Sequence, residues 1–481
     1  MTPIVIFSAL GLYALLLLGV GSLSARSGSN ATFFSARRTT AWYLLWPAMI
    51  SAAMSGITFV SLPGSVEADG FTYLQMVVGF TIGQLLLAGW LVPLFYRLRV
   101  TSIYEYFSHR FGVGAHRTSA WFFLFSKLAA TALKLCIVCI VMQRLLFDHF
   151  SLPFWLNALL TMAVVWGYTH RGGVRSVIHA DLLKTGLMLA ALVATTVAIL
   201  QALGCSFGAL FSELWCDSRA AWLCTDPASD RYLWKMVVGG VVVLLAMTGL
   251  DQEMMQRNLT CRTLRDAQCT ILLTAVSQAV VILLFLVLGY LLYRYADAVA
   301  LPLPEKRDQL FAAVAVDGGL PIWVGVLFVM GFAAGSFSAG GSALTALTTS
   351  VVVDLLHGDP CNEQQMKVLR SRVHLLLAAA LTLLIVGFGY WADDSVINLI
   401  YRVAGYTYGP ILGLFLFGTL TRIRVVDGKV WIVALAAPLL SAAIRWFVQS
   451  RFGYAVGFEL LLLNALLTMA GLWLVRLRTN A

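Results

Sequence analysis

The chain has 481 residues, of which 60% are hydrophobic and 12% are charged, and its mean hydropathy is +0.85. Soluble domains carry about 25% charged residues, so this composition excludes an ordinary soluble protein, and the apolar content excludes a disordered chain. The net charge of +10 does not by itself indicate nucleic acid, because basic residues of membrane proteins collect in cytoplasmic loops. The composition therefore predicts an all-α membrane protein that crosses the bilayer many times.

Thirteen apolar segments, numbered here as spans 1 to 13, are long enough to cross a bilayer as helices, and most are too uniformly apolar for strands. The first has no basic start and a longer apolar run than a signal peptide, so we expect it to remain as a span. The segments run over 3–23, 41–62, 73–96, 118–143, 153–169, 176–203, 235–254, 267–293, 321–353, 373–391, 396–420, 429–448 and 458–475.

The distribution of Lys and Arg predicts the orientation of the spans. If the N-terminus lies outside, the loops on the inner side hold 20 of the 33 basic residues, the outer loops hold 9, and 4 fall within spans. Because Lys and Arg are enriched in cytoplasmic loops, this bias predicts an extracytoplasmic N-terminus and a cytoplasmic C-terminus.

The eight cysteines show no metal-ligand spacing. Cys136 and Cys139 form a C-x-x-C inside an apolar helix, which indicates simple packing. Cys205, Cys216 and Cys224 share the loop 204–234, which the orientation places outside. A disulfide between two of them is one option in an oxidising compartment, and the sequence does not select the pair.

Spans 2 and 7 are interrupted in comparable ways. Small and polar residues fall mid-membrane in span 2 over 50–58 and in span 7 over 246–252. The two interruptions lie five spans apart, and because five is odd the second copy is inverted relative to the first. Inverted repeats with broken helices are typical of secondary transporters, whose binding site lies where the breaks meet, whereas channels more often repeat in register.

The run from Met247 to Asn258 resembles the sodium:solute symporter family, whose members carry a G-x-[ND]-Q-x-x-x-Q-R pattern here. Four further stretches share the resemblance: T-S-I-Y-E-Y-F at 101–107 with R-F-G at 110–112, R-G-G at 171–173 leading to Asp181, S-A-L-T-A-L-T-T at 342–349 closing on Asp354, and Y-T-Y-G-P at 406–410. The matches cover nearly the whole chain in order, and the branch resembles bacterial members.

The resemblance implies a LeuT-type fold with a core of two five-helix inverted repeats, alternating access that is commonly driven by sodium, and a bacterial inner membrane. The expected division of the chain has five parts: the first span and first inner loop over 1–40, the first repeat (spans 2–6) over 41–203, an outer loop over 204–234, the second repeat (spans 7–11) over 235–420, and two last helices over 421–481.

The family's sodium site lies between spans 2 and 9. Carried onto this chain, the resemblance implies main-chain carbonyl ligands from Ser51, Met54 and Gly335, and a hydroxyl ligand from Ser338, although a serine at this position is also unremarkable as packing. The second hydroxyl position is Ala339, so one oxygen ligand is missing. The missing oxygen has three alternative sources: a water molecule, Ser336 and Ser342.

Span 6 departs from the family in a second way. Asp181 resembles the acidic residue near the sodium site, but Lys184 stands where the family usually has glutamine. Residues three apart share a helix face, so the two can form a structural ion pair, or Lys184 can extend to the inner interface. The alternative is that the ammonium replaces sodium, since a unit charge about 6 Å from the ion opposes it by roughly 3 kcal/mol at an effective dielectric constant near 20. Both departures predict weak or absent sodium dependence.

The substrate pocket is expected between the two breaks. Its candidate residues are Ser55, Thr58, Gln75, Thr248, Asp251 and Tyr401. Sugar-transporting members have hydrogen-bonding residues where this chain has Ile57 and Thr58, which argues against a hexose. Lys134 in span 4 can meet an anionic substrate or pair structurally, and Asp251 with Gln252 is expected to brace the broken helix.

The sequence thus predicts a secondary active transporter of a small polar or organic solute, nominally sodium-coupled (Na+). Two alternatives stay open: a sodium-independent carrier, either proton-coupled or uniporting, and a solute sensor on the same fold. The chain has no H-E-x-x-H motif, no convincing nucleophile elbow and no paired carboxylates on one helix face, so we do not expect an enzyme. The expected partners are the solute and the lipid bilayer, without nucleic acid, and the oligomeric state is left open.

Overall fold

Most of the described part of the chain is helical. A computed structural model describes residues 3–24, 29–54, 56–227, 229–304, 306–356, 362–391, 396–452, 457 and 459–477. Within these ranges the only strand-like pairings are two isolated bridges, one between Thr40 and Cys261 and one between Val425 and Arg476. The predicted all-α class is therefore confirmed.

The helices follow one another with short connections. The α-helices are α1 (Pro3–Ser24), α2 (Asn30–Ser35), α3 (Trp42–Ala53), α4 (Gly56–Gly64), α5 (Val66–Asp69), α6 (Tyr73–Leu86), α7 (Val92–Leu98), α8 (Glu105–Arg110), α9 (Val113–Leu145), α10 (Phe154–Thr169), α11 (Val174–Leu203), α12 (Phe207–Cys216), α13 (Leu233–Leu244), α14 (Gln252–Asn258), α15 (Leu264–Ala298), α16 (Leu310–Asp317), α17 (Ile322–Ser350), α18 (Glu363–Trp391), α19 (Val396–Leu420), α20 (Val430–Phe452) and α21 (Glu459–Leu474). Three π-helical turns extend α6, α13 and α17: Leu87–Leu91, Leu245–Gly249 and Val351–Leu355. Five short 3-10 helices occupy connections: Ala36–Arg38, Phe147–Phe150, Ser218–Ala220, Arg307–Gln309 and Asp427–Lys429.

The number of membrane spans differs from a simple count of apolar segments. In the described residues, nine helices are long and apolar enough to cross a membrane, or up to 11 if each of two bent helix pairs is one span. Two shorter apolar helices, α10 and α21, coincide with the predicted spans 5 and 13 but have 16 residues each. The predicted total of thirteen spans therefore stays a prediction.

Several helices extend beyond their apolar segments because polar residues continue them past the membrane. The eighth segment was predicted over 267–293, whereas α15 begins at Leu264. The Thr263 hydroxyl accepts a hydrogen bond from the Asp266 N–H at 3.1 Å, which caps the first turn. Hydropathy marks the membrane-embedded part of a helix, and capping marks where the helix starts.

The central element of the fold is α17. Every residue from 340 to 350 is buried, and the helix packs on α1, α4, α9, α10 and α11. Glycine permits this close packing, since a Cβ added at Gly341 would lie 1.8 Å from the Tyr168 hydroxyl oxygen. The short helix α14, which follows the interruption of span 7, contacts α3, α11 and α17, so the two interrupted spans meet in the interior.

Candidate transport site

Span 2 is broken where the sequence predicts. The helix α3 ends at Ala53, and Met54 has an extended backbone with φ −111° and ψ 114°. The chain continues as α4, and the parts on either side of the break are bent by 58°. Gly56 lies so close to α17 that an added Cβ would be 2.8 Å from the Ser336 hydroxyl oxygen. The break therefore sits directly against the central helix.

Span 7 is broken more sharply, with a bend of 72° between its two halves. The π-helical turn Leu245–Gly249 ends the first half, and Asp251 is extended with φ −103° and ψ 120°. The Asp251 carboxylate accepts hydrogen bonds from the N–H groups of Glu253 at 2.8 Å and Met254 at 3.4 Å. Asp251 is therefore the N-cap of α14, which agrees with the bracing role expected for it.

Gln252 braces the same break from the other side. Its side-chain oxygen accepts a hydrogen bond from the Ile103 N–H at 3.0 Å, and its side-chain nitrogen donates to the Thr101 carbonyl at 3.2 Å. The Tyr104 hydroxyl donates to the Leu250 carbonyl at 3.2 Å. The T-S-I-Y stretch thus holds the unwound backbone of span 7.

Lys184 reaches the break of span 2. Its side chain is 2% exposed, and its Nζ donates a hydrogen bond to the Ser51 carbonyl oxygen at 2.6 Å. The adjacent Thr185 hydroxyl donates to the Pro47 carbonyl at 2.8 Å. The ammonium group therefore contacts a carbonyl for which the family resemblance implied a sodium ligand.

Asp181 pairs with Arg257, and not with Lys184, the partner that helix spacing suggested. Asp181 forms a salt bridge with Arg257, with 3.0 Å between Nε and Oδ2, and accepts a hydrogen bond from the Ser338 hydroxyl on Oδ1. Among the described ion pairs, none joins Asp181 to Lys184 within 4.0 Å, so the structural pair that the helix spacing allowed is not formed. The Arg257 guanidinium reaches Asp181 from α14, and Lys184 instead donates a hydrogen bond to the Ser51 carbonyl of span 2.

Arg257 connects three helices at the centre of the site. It is 2% exposed, and its Nη2 donates to the Ser342 hydroxyl of α17. Its Nη1 donates to the Glu253 carbonyl at 2.9 Å, and Nη2 lies 3.7 Å from the Glu253 carboxylate. A planar guanidinium has donors in a fixed fork and satisfies several acceptors at once, so it stabilises the buried carboxylate of Asp181.

Lys127 of α9 completes this set of charges. Its Nζ lies 2.6 Å from carboxylate oxygens of both Asp251 and Glu253. Asp251 also accepts a hydrogen bond from the Tyr408 hydroxyl. Lys127, Glu253, Arg257 and Asp181 therefore form an alternating chain of charges, which we call the charge chain, from α9 through α14 to α11. Sequence reasoning missed this chain, although Lys127 within an apolar span was a signal for it.

Lys134 lies outside the charge chain. Lys134 lies seven positions after Lys127, so the two side chains share one face of α9 and are about 10 Å apart along the helix axis. Lys134 is partly buried, and within the described residues no carboxylate oxygen lies within 4.0 Å of its Nζ. Counted with Lys184 and Asp251, the charge chain is neutral when all its groups are ionised, and Lys134 leaves one positive charge unbalanced.

The hydroxyls near the predicted cation site are used elsewhere. Ser338 donates to Asp181, Ser342 accepts from Arg257, and Ser336 donates to the Phe332 carbonyl at 2.8 Å. In the described residues, no group of three or more His, Cys, Asp or Glu could hold a metal ion. The Gly335 carbonyl belongs to the continuous helix α17, and Ala339 is partly exposed without a polar side chain.

The candidate pocket residues are not brought together as one described set. Thr248 is partly buried in the π-helical turn of span 7, and Thr58 is partly buried just beyond the break of span 2. Asp251 is occupied as a helix cap. Ser55 lies outside the described residues, and so does the side chain of Tyr401, whose backbone belongs to α19.

Gln75 contacts the outer loop. Its side-chain nitrogen donates to the carbonyls of Thr72 at 3.2 Å and Arg231 at 3.0 Å, and its oxygen accepts from the Cys224 N–H at 3.3 Å. The side chain is buried, so its amide serves the loop structure. In the same loop, Cys205 and Cys224 are free thiols, so the optional disulfide is not formed between them. The Cys216 side chain lies outside the described residues.

A buried cluster of hydrogen bonds surrounds Asp354. Its carboxylate accepts hydrogen bonds from Ser102 at 2.8 Å and Ser350 at 2.7 Å, and the other oxygen lies 2.9 Å from His116 Nε2. All four side chains are buried. Two of the motifs recognised in the sequence, T-S-I-Y and the segment ending at Asp354, therefore meet in the interior of the protein.

Comparison with known proteins agrees with this architecture. The sequence profile of the sodium:solute symporter family matches residues 33–428. The human sodium/iodide cotransporter is 23% identical over 428 residues, which is 85% of this chain and 65% of that protein, so this chain spans just under two thirds of its length. The sodium/sialic acid symporter SiaT of Proteus mirabilis is 22% identical over 473 residues, 92% of this chain and 90% of SiaT.

Solved structures confirm the fold. The substrate-bound outward-open state of a Na+-coupled sialic acid symporter superposes with a TM-score of 0.82 at 17% identity, over 98% of this chain and 97% of that one. At this identity the likeness concerns the fold, which is the predicted LeuT-type arrangement. The family profile covers most of the chain. The chain belongs to the sodium:solute symporter family.

Proposed function

We propose that the chain is a secondary active transporter that moves a small organic anion by alternating access, with the Lys184 ammonium in the position of the sodium ion of its relatives. The observation that carries the proposal is the 2.6 Å contact between Lys184 Nζ and the Ser51 carbonyl oxygen at the break of span 2. The two repeats, 41–203 and 235–420, are the parts that move against each other. The asymmetry of basic residues supports an N-terminus outside and a C-terminus inside, and the bacterial relative SiaT supports a location in a bacterial inner membrane.

The residues around Ser51 do not fit a sodium ion. A sodium bound to the same carbonyl would lie about 4 Å from the ammonium nitrogen and be opposed by about 4 kcal/mol at an effective dielectric constant of 20. The second hydroxyl ligand is absent at Ala339, and the first, Ser338, donates to Asp181. Loss of ligands and repulsion act in the same direction, so sodium coupling is weak or absent.

The unbalanced charge of Lys134 supports an anionic solute. A cation inside the membrane without a close carboxylate is costly, and a bound anion removes that cost. The named relatives transport iodide and sialic acid, both of which are anions. Thr248 and Thr58, at the two breaks, are the candidate hydrogen-bonding groups for the remainder of the solute. Ser55, Asp251 and Tyr401 stay candidates at the same level of the membrane.

Protons are the alternative driving ion. Lys184 can lose a proton when the inner path opens, after which the Ser51 carbonyl keeps only an uncharged and weaker amine donor, and α3 moves more easily. A carrier that works this way takes up its solute in response to a pH gradient. A uniporting carrier keeps Lys184 charged throughout and responds to neither ion.

A solute sensor is the second candidate, because the cation site has lost two of its features, the hydroxyl at position 339 and the glutamine at 184. A sensor binds solute and changes conformation without accumulating it. Sensor and transporter share the fold, so a measurement of flux separates them.

Uptake into proteoliposomes tests the proposal. Purified protein is supplied with radiolabelled monocarboxylates, iodide and sialic acid in sodium or choline medium, with and without an inward proton gradient. Accumulation that is equal in sodium and choline supports the proposal, and steep saturable activation by sodium contradicts it. Saturable binding without flux indicates the sensor. The Lys134→Gln variant should bind anions at least tenfold more weakly, and unchanged affinity would remove the argument for an anionic solute.

A further inference from the structure

The loop between spans 6 and 7 contains a helix with an exposed aromatic stripe. In α12, Phe207 is 65% exposed, Phe211 69% and Trp215 84%. The three residues are spaced by four, so they occupy one stripe of about 80° on the helix surface. The stripe is built from large apolar side chains that the described residues leave uncovered, which indicates an apolar partner outside the chain.

The other sides of α12 have different surroundings. Leu210 is buried, and the Glu213 carboxylate forms an ion pair with Arg294 of α15, so this side faces the protein. Ser212 is exposed on the side opposite to Leu210. At about 100° per residue the aromatic stripe lies between the protein side and the side of Ser212. A helix at the protein edge with protein, apolar and polar sides has the surroundings of the membrane interface.

The position of α12 along the membrane normal supports this partner. It begins four positions after α11 ends at Leu203, so the two helix ends are at most about 14 Å apart. The 30 residues of α11 are about 45 Å long, against a hydrocarbon core of about 30 Å, so its end lies at headgroup level. Trp is enriched at this level, and Phe and Trp are typical of the apolar face of helices that lie in the interface.

The charge of α12 restricts the kind of lipid contact. Glu213 is the only charged residue between Phe207 and Cys216, and it is paired with Arg294. Without Lys or Arg, the helix has no attraction to anionic headgroups. The contact is therefore with the boundary between headgroups and acyl chains, whatever the headgroup charge.

The rest of the loop holds the segment that follows the broken span 2. The Phe71 N–H donates to the Ala221 carbonyl at 2.9 Å, Gln75 donates to the Arg231 carbonyl at 3.0 Å, and Arg231 forms an ion pair with Asp69. A loop attached to lipid at one end and to residues 69–75 at the other restrains that segment. We propose that α12 inserts its aromatic stripe into the lipid interface on the extracytoplasmic side of the membrane. The loop 204–234 is thereby anchored and lies as a strap over the end of span 2.

Depth-dependent quenching tests the insertion. Single cysteines at positions 211, 215 and 212, in a background without the native cysteines, are labelled with NBD and reconstituted in phosphatidylcholine vesicles containing lipids doxyl-labelled near the headgroup. We expect strong quenching at 211 and 215 and weak quenching at 212. The result should be the same when phosphatidylglycerol is added or the salt concentration is raised. Equal quenching at all three positions, or quenching that needs phosphatidylglycerol, would overturn the insertion.

Hydrogen exchange tests the strap in the protein with its native cysteines, without knowledge of the solute. In lipid nanodiscs, the triple change Phe207→Ser, Phe211→Ser and Trp215→Ser should raise the exchange rate of residues 69–75 several-fold. The control Ser212→Ala, on the polar side of the same helix, should leave that rate unchanged. If the triple variant does not fold, Trp215→Ser alone should give a smaller increase. Unchanged exchange in a folded variant would show that the loop is not restrained through lipid.

Discussion

Replacing Lys184 by glutamine should convert the site toward sodium binding, and adding Ala339→Ser should increase the effect. The first change removes the ammonium that contacts the Ser51 carbonyl at 2.6 Å, and the second supplies the missing hydroxyl beside Ser338. Glutamine is the residue that the family usually has at this position. The double variant therefore tests whether two substitutions account for a lost ion site.

The size of the effect follows from the geometry. An ion that shares the Ser51 carbonyl with Lys184 lies about 4 Å from Nζ, and the repulsion of about 4 kcal/mol at a dielectric constant of 20 corresponds to roughly a thousandfold in affinity. One added hydroxyl ligand contributes about 1.5–3 kcal/mol, by analogy with hydrogen bonds to charged groups. Because side chains relax, we expect the double variant to bind sodium at least about a hundredfold more tightly than the original chain.

Thermal unfolding in sodium and choline measures this affinity without a substrate. A ligand at about 100 times its Kd stabilises a protein by about 2.7 kcal/mol, so sodium should raise the melting temperature of the double variant and leave the original chain unchanged. Lys134→Gln removes a charge elsewhere in the membrane and should give no sodium response. Strong sodium stabilisation of the original chain, or none in a folded double variant, would refute the reasoning.

Three further predictions concern other parts of the structure. Arg257→Met leaves a buried carboxylate without its partner and should lower the free energy of unfolding by about 3–5 kcal/mol, measured by denaturation in mild detergent. Gly341→Ala places a Cβ 1.8 Å from the Tyr168 hydroxyl oxygen and should cost about 1–3 kcal/mol in the same measurement. Burial raises the pKa of Cys261 to about 12, so between pH 7 and pH 9 its thiol should react with maleimide far more slowly than exposed Cys269, as mass spectrometry will show. Since the folded pKa is raised, protonated Cys261 stabilises the fold below its unfolded pKa and loses this contribution as the pH rises toward 12.

Matched variants give the controls for these predictions. Adding Asp181→Asn to Arg257→Met removes the carboxylate that lost its partner and should recover part of the lost stability, because the charges that remain are again equal in number. A Cβ at Gly387 meets nothing within 4 Å, so Gly387→Ala should be neutral or slightly stabilising. Equal costs at the two glycines, or no recovery in the double variant, would contradict the packing and charge arguments.

The sequence predicted the helices and both breaks because each depends on local properties. Apolar runs mark membrane helices, and small or polar residues mark the unwound positions near Met54 and Gly249. The family motifs predicted that Asp181 and Ser338 belong to one site, and the structure joins them by a hydrogen bond. These predictions concern either a single segment or a position fixed by the family pattern.

The partners across the site were not predicted, because helical spacing identifies a face but not the helix opposite to it. Lys184 is three residues from Asp181, and their common face suggested a pair, yet Arg257 of α14 reaches Asp181. Gln75 stays a candidate for the pocket, and the hydrogen bonds of its amide with the loop 204–234 were not predicted. Which side chains meet depends on the angle at which the two halves of span 7 diverge, and no residue pattern specifies that angle.

The charge chain has a consequence for evolution as well as for movement. Ion pairs hold α14 to both α9 and α11. A substitution that removes one charge of the chain therefore leaves the opposite charge unpaired in a medium of low dielectric constant. The four positions concerned are Lys127, Glu253, Arg257 and Asp181. Natural variants should therefore change these positions in compensating pairs. Homologues that have lost one of them should show a matching neutral or swapped residue at its partner, a covariation that a sufficiently deep sampling of homologous chains would reveal.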